Sequence, residues 1–339
     1  WSGRQRFEYR YRILVCVTIL QALMNPIASL VLIRINGGTA MMRILGIVGV
    51  QVCICVPIIV FQFCKGKEFF SKEYWGYALR IGIPIVPHYL SGIILNQGDR
   101  IMIDKMVGKT EVALYGLAYS IGMLVQLFIS GMNSALTPWM YSKIKKGDIR
   151  SMRKVLQLLS VVVVGIAVAL MLISPELVLI FGSPKYREAV YVIPPVAASV
   201  FFVFIYNILS MPQFYYEKTQ FLMAASMAAA GANVVLNFIF IRLFGYIAAG
   251  YTTLACYMLY SVGHYIVSKR ILVNEEIQEN LMSPGFLVAC SVFLIGASII
   301  CNLIFPYRIL RYAILLASAG LVFWKKELLL KTMADIRKK

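Results

Sequence analysis

Charge is what this sequence has least of. Only 14% of its 339 residues are Asp, Glu, Lys or Arg, while 60% are hydrophobic and mean hydropathy is +0.78. Soluble domains average about 25% charged and about 45–50% apolar residues, which argues against a water-soluble enzyme. Acidic residues are scarcer still: 15 against 33 Lys and Arg, a net charge of +18. Two histidines, His88 and His264, cannot build the usual zinc sites, and a lone His in an apolar helix is more often hydrogen-bonded structure than a proton carrier. The seven cysteines (Cys16, Cys53, Cys55, Cys64, Cys256, Cys290, Cys301) show no ligand spacing and read as small buried apolar residues. Neither metal nor cofactor is expected. No GxxxxGK[ST] phosphate loop, HExxH or GxSxG occurs, so no ATP-hydrolysing domain, zinc-protease motif or serine elbow is present. Any energy source must be an ion gradient, a substrate gradient or downstream consumption.

Long apolar runs take the place of charge. A helix needs about 20 mainly apolar residues to cross the hydrocarbon of a bilayer. Ten stretches qualify: 13–35, 41–64, 78–97, 112–135, 155–181, 190–210, 220–241, 246–267, 285–305 and 307–324. Lipid offers no partner to backbone polar groups, so the spans must be helical, and runs such as VLQLLSVVVVGIAVALMLI are too evenly apolar for barrel strands. The fold class is an all-α, polytopic membrane protein of about ten transmembrane helices.

The surplus of positive charge then has an explanation. With the N-terminus inside, the inside stretches hold 22 Lys and Arg and the outside connections 10, with Arg80 in the third span. That imbalance places both ends in the cytoplasm. No basic stripe with interleaved aromatics stands apart from a membrane flank, so no nucleic-acid partner is expected. The outside connections are too short to fold a domain, which leaves function to the helices and the space between them. The start at Trp1, after which no signal-peptide layout follows, suggests a fragment lacking upstream sequence.

The third span, ALRIGIPIVPHYLSGIILNQGDR, is the most unusual. Pro84 and Pro87 remove two helical donors, so the helix should kink or break there, either for packing or as a bend beside a substrate path. At its end Asp99 or Asp104 could pair with Arg100 or Lys105; an Arg100 facing the bundle could instead hold a phosphate. In the fourth span Tyr115 and Tyr119 share a face, and with Gln126 they offer either interhelical glue or a polar wall for a sugar. Glu176, after Ser174 and Pro175, reads as the cap of a helix start.

The stretch ALRIGIPIVPHYLSGIILNQGDRIMIDKMVGKTEVALYGLAYSIGMLVQLFISGMNSALTPWMYSKIKKGD resembles the polysaccharide transporter family, the lipid-linked oligosaccharide (O-antigen type) flippases of the multidrug/oligosaccharidyl-lipid/polysaccharide exporter superfamily. ISPELVLIFGSPKYREAVYVIPPVA at 173–197 is a second match, and the resemblance extends over about residues 1–324. It implies two helical bundles facing a central cavity. Mapped onto a fourteen-span member, 1–64 would be the remainder of an incomplete first lobe (two helices), 78–267 a six-helix second lobe, 285–324 two extra C-terminal helices, and 325–339 a basic cytoplasmic tail. It also implies an inner-membrane flippase for polyprenyl-pyrophosphate-linked oligosaccharide in cell-surface polysaccharide biosynthesis, working by alternating access and not as an enzyme. Membrane lipid surrounds it, and a polysaccharide polymerase and chain-length proteins are candidate partners. On that reading Arg80 and Arg100 hold phosphate, Asn96, Tyr115, Tyr119 and Gln126 line the cavity, and Pro84 and Pro87 allow the bend. Two alternatives stay open. A cation or drug antiporter of the same superfamily needs a carboxylate deep in a lobe, whereas the carboxylates here sit near span ends. A membrane polymerase or ligase needs a large outer loop.

Overall fold

Each long apolar run folds as a helix, because in lipid every backbone N–H and C=O must find its partner within the segment. The computed structural model describes residues 1–35, 40–67 and 70–324, and no strand occurs among them. The helices are α1 (Ser2–Phe7), α2 (Tyr11–Ile35), α3 (Ala40–Gly66), α4 (Lys72–Met106), α5 (Lys109–Gly122), α6 (Leu124–Lys145), α7 (Ile149–Phe181), α8 (Ile193–Tyr215), α9 (Thr219–Phe244), α10 (Ile247–Asn274), α11 (Pro284–Ile304) and α12 (Arg308–Trp324), with a 3₁₀ segment at Pro184–Tyr191. All ten expected spans fall on helices. The fourth is shared by α5 and α6, which are separated only by a turn at Met123. Eight spans are both long and apolar enough to cross a membrane. The other two are α12, with 17 residues, and α10, whose Thr, Tyr, Ser and His side chains lower its hydropathy. The tail at 325–339 lies outside the described residues.

Contacts divide the chain into two units, Trp1–Leu79 and the remainder from Arg80, the division falling inside α4. Both Pro84 and Pro87 lie within α4, which runs on unbroken to Met106; the expected break does not occur.

In the first unit α2 and α3 pair with most of their apolar side chains exposed and none of the larger ones fully buried among the described residues, as suits helices solvated by lipid. Ser29 is the buried residue of α2, and its hydroxyl donates to the carbonyls of Asn25 and Arg43. Gly46 of α3 permits this approach: a Cβ there would lie 2.6 Å from the Cα of Ser29. Backbone cannot yield as a side chain can, so Gly46→Leu is expected to cost about 1–3 kcal/mol by overpacking. A lower thermal-unfolding midpoint in detergent would register it; an unchanged midpoint would refute this account of the contact. Cys16, Cys53 and Cys64 are exposed, which corrects their reading as buried: an apolar thiol is equally at home against lipid.

The second unit is built around α8. Its sequence, IPPVAASVFFVFIYNILSMPQFY, is apolar on every face, the signature of a helix surrounded by protein, and 89% of its span is buried. It packs against α5, α6, α7, α10 and α11. Small residues set the distances: a Cβ on Gly122 would lie 2.6 Å from Val196 Cγ1. At the loop before α7, Asp148 caps the helix by accepting from Ser151 N–H and pairs with Lys143 at 2.6 Å. The Lys143 ammonium holds its carboxyl below the usual carboxylate range, so this contribution to stability is present near neutral pH and fades as pH falls through that lowered value.

Glu176 begins no helix. α7 runs through Pro175 to Phe181, because the hydroxyl of Ser174 donates to the Met171 carbonyl that Pro175, lacking an N–H, leaves free. Glu176 is instead the partner of Arg311 on α12, with Nη2–Oε1 2.7 Å and Nη1–Oε2 2.8 Å. Arg311 also donates to the Leu172 carbonyl, and the hydroxyl of Tyr312 donates to Glu176. This bidentate pair fastens α12 to α7.

Candidate functional site

A helix repeats its face roughly every 3.6 residues, so side chains four apart form a slowly turning stripe. On α4 that stripe is His88, Gly92, Asn96 and Arg100, and it lines a cavity of about 680 Å³ within the second unit. The other walls are Tyr119, Ser120 and Met123 around the end of α5, Tyr206, Asn207, Ser210 and Phe214 of α8, and Tyr257 and Tyr260 of α10.

The wall is aromatic and hydrogen-bonded. The hydroxyls of Tyr119 and Tyr257 both donate to Asn96 Oδ1, at 2.7 and 3.3 Å, while Asn96 Nδ2 donates to the Gly92 carbonyl. Tyr206 lies parallel to Tyr257 (centroids 6.1 Å apart, 5° between planes) and 4.5 Å from the Tyr260 ring. The Tyr260 hydroxyl and His88 Nδ1 are 3.0 Å apart. Arg100 is the one Lys or Arg on this lining; it lies 5.2 Å from the Tyr119 ring centroid and donates to Gln97 Oε1 at 3.0 Å. Its Nε, buried, has no partner among the described residues. A guanidinium with a spare donor beside flat rings and amides can receive an anionic oxygen and stack or hydrogen-bond a sugar.

One step around α4 from Arg100 the surroundings reverse. Asp99 is 0% exposed and accepts from Tyr115 (2.5 Å), Thr253 (2.7 Å) and Asn237 Nδ2 (2.5 Å). Asn237 in turn meets Asn233 and accepts from Thr252. This ties α4, α5, α9 and α10 together around one carboxylate. The expected pairing of Asp99 or Asp104 with Arg100 or Lys105 does not occur among the described ion pairs. Nor do all carboxylates sit harmlessly at span ends, since Asp99 lies in the core of its unit; α4 extends nine residues beyond the expected span end at 97, which moves Asp99 inward. No group of three or more His, Cys, Asp or Glu gathers among the described residues. The groups facing Asp99 are two hydroxyls and an amide N–H, all of them donors to its two oxygens, a set that satisfies a buried carboxylate and does not match zinc.

Of the residues the sequence singled out, Asn96, Arg100 and Tyr119 meet at the cavity. Tyr115 is fully buried below it as a ligand of Asp99, acting as glue. Gln126 is half-buried on α6 and is not part of this lining. Arg80 is exposed and does not line the cavity either. Twenty residues of unbroken helix separate it from Arg100, a rotation of about 200° beyond whole turns, which sends the two guanidiniums to opposite faces. Tyr206, Tyr257 and Tyr260 were missed. Tyrosines belong at membrane interfaces, so the position of Tyr257 and Tyr260 well inside the span 246–267 was the available signal; Tyr206, four residues from the end of 190–210, gave none.

Comparison with known proteins places this geometry. A family model described as polysaccharide biosynthesis protein matches residues 5–145, and the MatE family model matches residues 84–239. Two Haemophilus influenzae proteins are similar: "Lsg locus putative protein 1", 28% identical over 172 residues (48% of this chain, 41% of the relative), and an "Uncharacterized membrane protein", 29% identical over 191 residues (52% and 46%). The chain thus spans less than half the length of these curated relatives. A crystal structure of a MATE mutant shares the fold, with a TM-score of 0.61 at 16% identity, covering 81% of this chain and 66% of the other.

Proposed function

We propose that this chain is a multi-pass membrane transporter of the multidrug/oligosaccharidyl-lipid/polysaccharide exporter superfamily, of the polysaccharide type, and that it moves polyprenyl-pyrophosphate-linked oligosaccharide across the cytoplasmic membrane. The observation that carries the substrate class is the cavity around Arg100: one guanidinium with an unspent donor, set in a wall of tyrosine rings, asparagine amides and hydroxyls. The guanidinium takes a phosphate oxygen of the lipid carrier. The rings and Asn96 take the sugar, whose hydroxyls and flat faces match them, and the polyprenyl tail remains in the bilayer. The cycle is alternating access, with α4 bending at Pro84 and Pro87 and with both ends of the chain in the cytoplasm. No bond is made or broken, and a polysaccharide polymerase and chain-length proteins act downstream.

Arg100→Ala in the full-length protein is expected to abolish surface glycan while leaving the amount of membrane-inserted protein unchanged. Glycan staining beside an immunoblot reads both. Normal glycan output from the variant would overturn the reading.

A second reading is favoured by Asp99. A carboxylate buried in the core of its unit is the feature a cation-coupled drug antiporter requires, and here it is present. Export of cationic dyes that depends on Asp99, with surface glycan unaffected, would move the assignment to that class.

A further inference from the structure

We propose a second anion site, separate from the central cavity, for the phosphate ester of a membrane lipid at the end of the second unit where α7 leaves and α12 begins. A cavity of about 520 Å³ there is lined by Arg187, Arg308 and Arg311, by Glu176 and Glu188, and by apolar groups that include Phe305. None of its lining residues is shared with the central cavity.

The charge there is not balanced. Both oxygens of Glu176 are committed to Arg311, and Tyr312 donates to the same carboxylate. Arg187 and Arg308, both exposed at the rim, take part in none of the described ion pairs. Arg311 is 1% exposed, and its buried Nε has no partner among the described residues. A buried guanidinium N–H without an acceptor is a cost that an anion would remove. Arg308 is also the first residue of α12, where the helix dipole favours negative charge.

Orientation does not account for these cations. They lie at the membrane end with only 10 of the 33 Lys and Arg, and positive flanks belong to the other end. The ligand is amphiphilic. Guanidinium groups take phosphate oxygens by charge-assisted bonds, and Val178, Leu179 and Phe305 give the site an apolar lining for chains. The phosphodiester of an anionic phospholipid and the phosphate of a polyprenyl carrier share this chemistry.

The test uses the full chain, delipidated in neutral detergent and offered phosphatidylglycerol, phosphatidylcholine or polyprenyl phosphate, with retained lipid counted by native mass spectrometry. Wild type is expected to retain phosphatidylglycerol about tenfold better than phosphatidylcholine, the scale of one or two charge-assisted contacts. The double variant R187Q/R308Q, which leaves the Glu176–Arg311 pair intact, is expected to lose that preference. K105Q/K109Q, which removes the same charge from the last turn of α4 and the first residue of α5, is expected to keep it. Retention of polyprenyl phosphate alone, abolished in R187Q/R308Q, supports the site and identifies the carrier as its source. An equal preference in wild type and R187Q/R308Q, an equal loss in K105Q/K109Q, or no preference in wild type for either phosphatidylglycerol or polyprenyl phosphate over phosphatidylcholine overturns the proposal.

Discussion

Asp99→Leu is expected to leave almost no folded protein. The carboxylate accepts from Tyr115, Thr253 and Asn237, each brought from a different helix, and leucine accepts from none. Every buried donor left without an acceptor costs about 1–3 kcal/mol. Three of them approach the whole stability of a typical domain, about 5–15 kcal/mol. The readout is the yield of monodisperse protein in detergent and its unfolding midpoint; a wild-type midpoint would sink the account of Asp99 as the tie among α4, α5, α9 and α10. Asp99→Asn separates structure from transport. It keeps the side-chain size and one acceptor oxygen, enough for Tyr115 and Thr253, and strands only the Asn237 amide, so the protein should still fold, with about 1–3 kcal/mol less stability. It removes the negative charge, so a cycle that exchanges a proton or cation at this carboxylate should stop. Full glycan output from Asp99→Asn would make Asp99 structural only.

The second large effect concerns Glu176 and Arg311, and it is asymmetric. Removing one partner of a buried pair costs about 3–5 kcal/mol, chiefly because the other charge is stranded. Arg311 is 1% exposed at its side chain whereas Glu176 is 28% exposed, so a stranded Glu176 hydrates more readily than a stranded Arg311. Glu176→Leu should therefore destabilise more than Arg311→Leu. The double variant E176L/R311L should recover much of the loss, since an apolar pair of similar volume carries no desolvation penalty. Thermal unfolding of all four proteins closes the cycle. Additive effects would mean that the two residues do not act as a pair, and that α12 is held to α7 by other contacts.

The site was half legible in the sequence, and the division follows from helix geometry. Asn96 and Arg100 were visible because polar residues in an apolar run are costly and four-residue spacing puts them on one stripe. Arg80 looked equivalent to Arg100 by composition, yet continuous helix across Pro84 and Pro87 rotates it to the other side. Asp99 and Arg100 read as neighbours able to neutralise each other. One residue of helix turns by about 100°, enough to send one into the core and the other to the cavity. Glu176 looked local, the cap of a helix start; its partnership with Arg311 spans 135 residues of sequence.

Apart from helix ends, which run up to ten residues past the expected spans, as at α6, the sequence alone determined that the long apolar runs are helices suited to lipid and that Lys and Arg are unevenly shared among the connections. Those follow from run length, backbone hydrogen bonding and charge counting, all of which are properties of a segment by itself. Only the tertiary structure decided which face of α4 meets Asn237 and Thr253, that α8 is the enclosed helix, and that Tyr206, Tyr257 and Tyr260 share a wall with Arg100. These are contacts between segments far apart in the chain, and an apolar stripe is equally willing to face lipid or another helix until packing chooses for it.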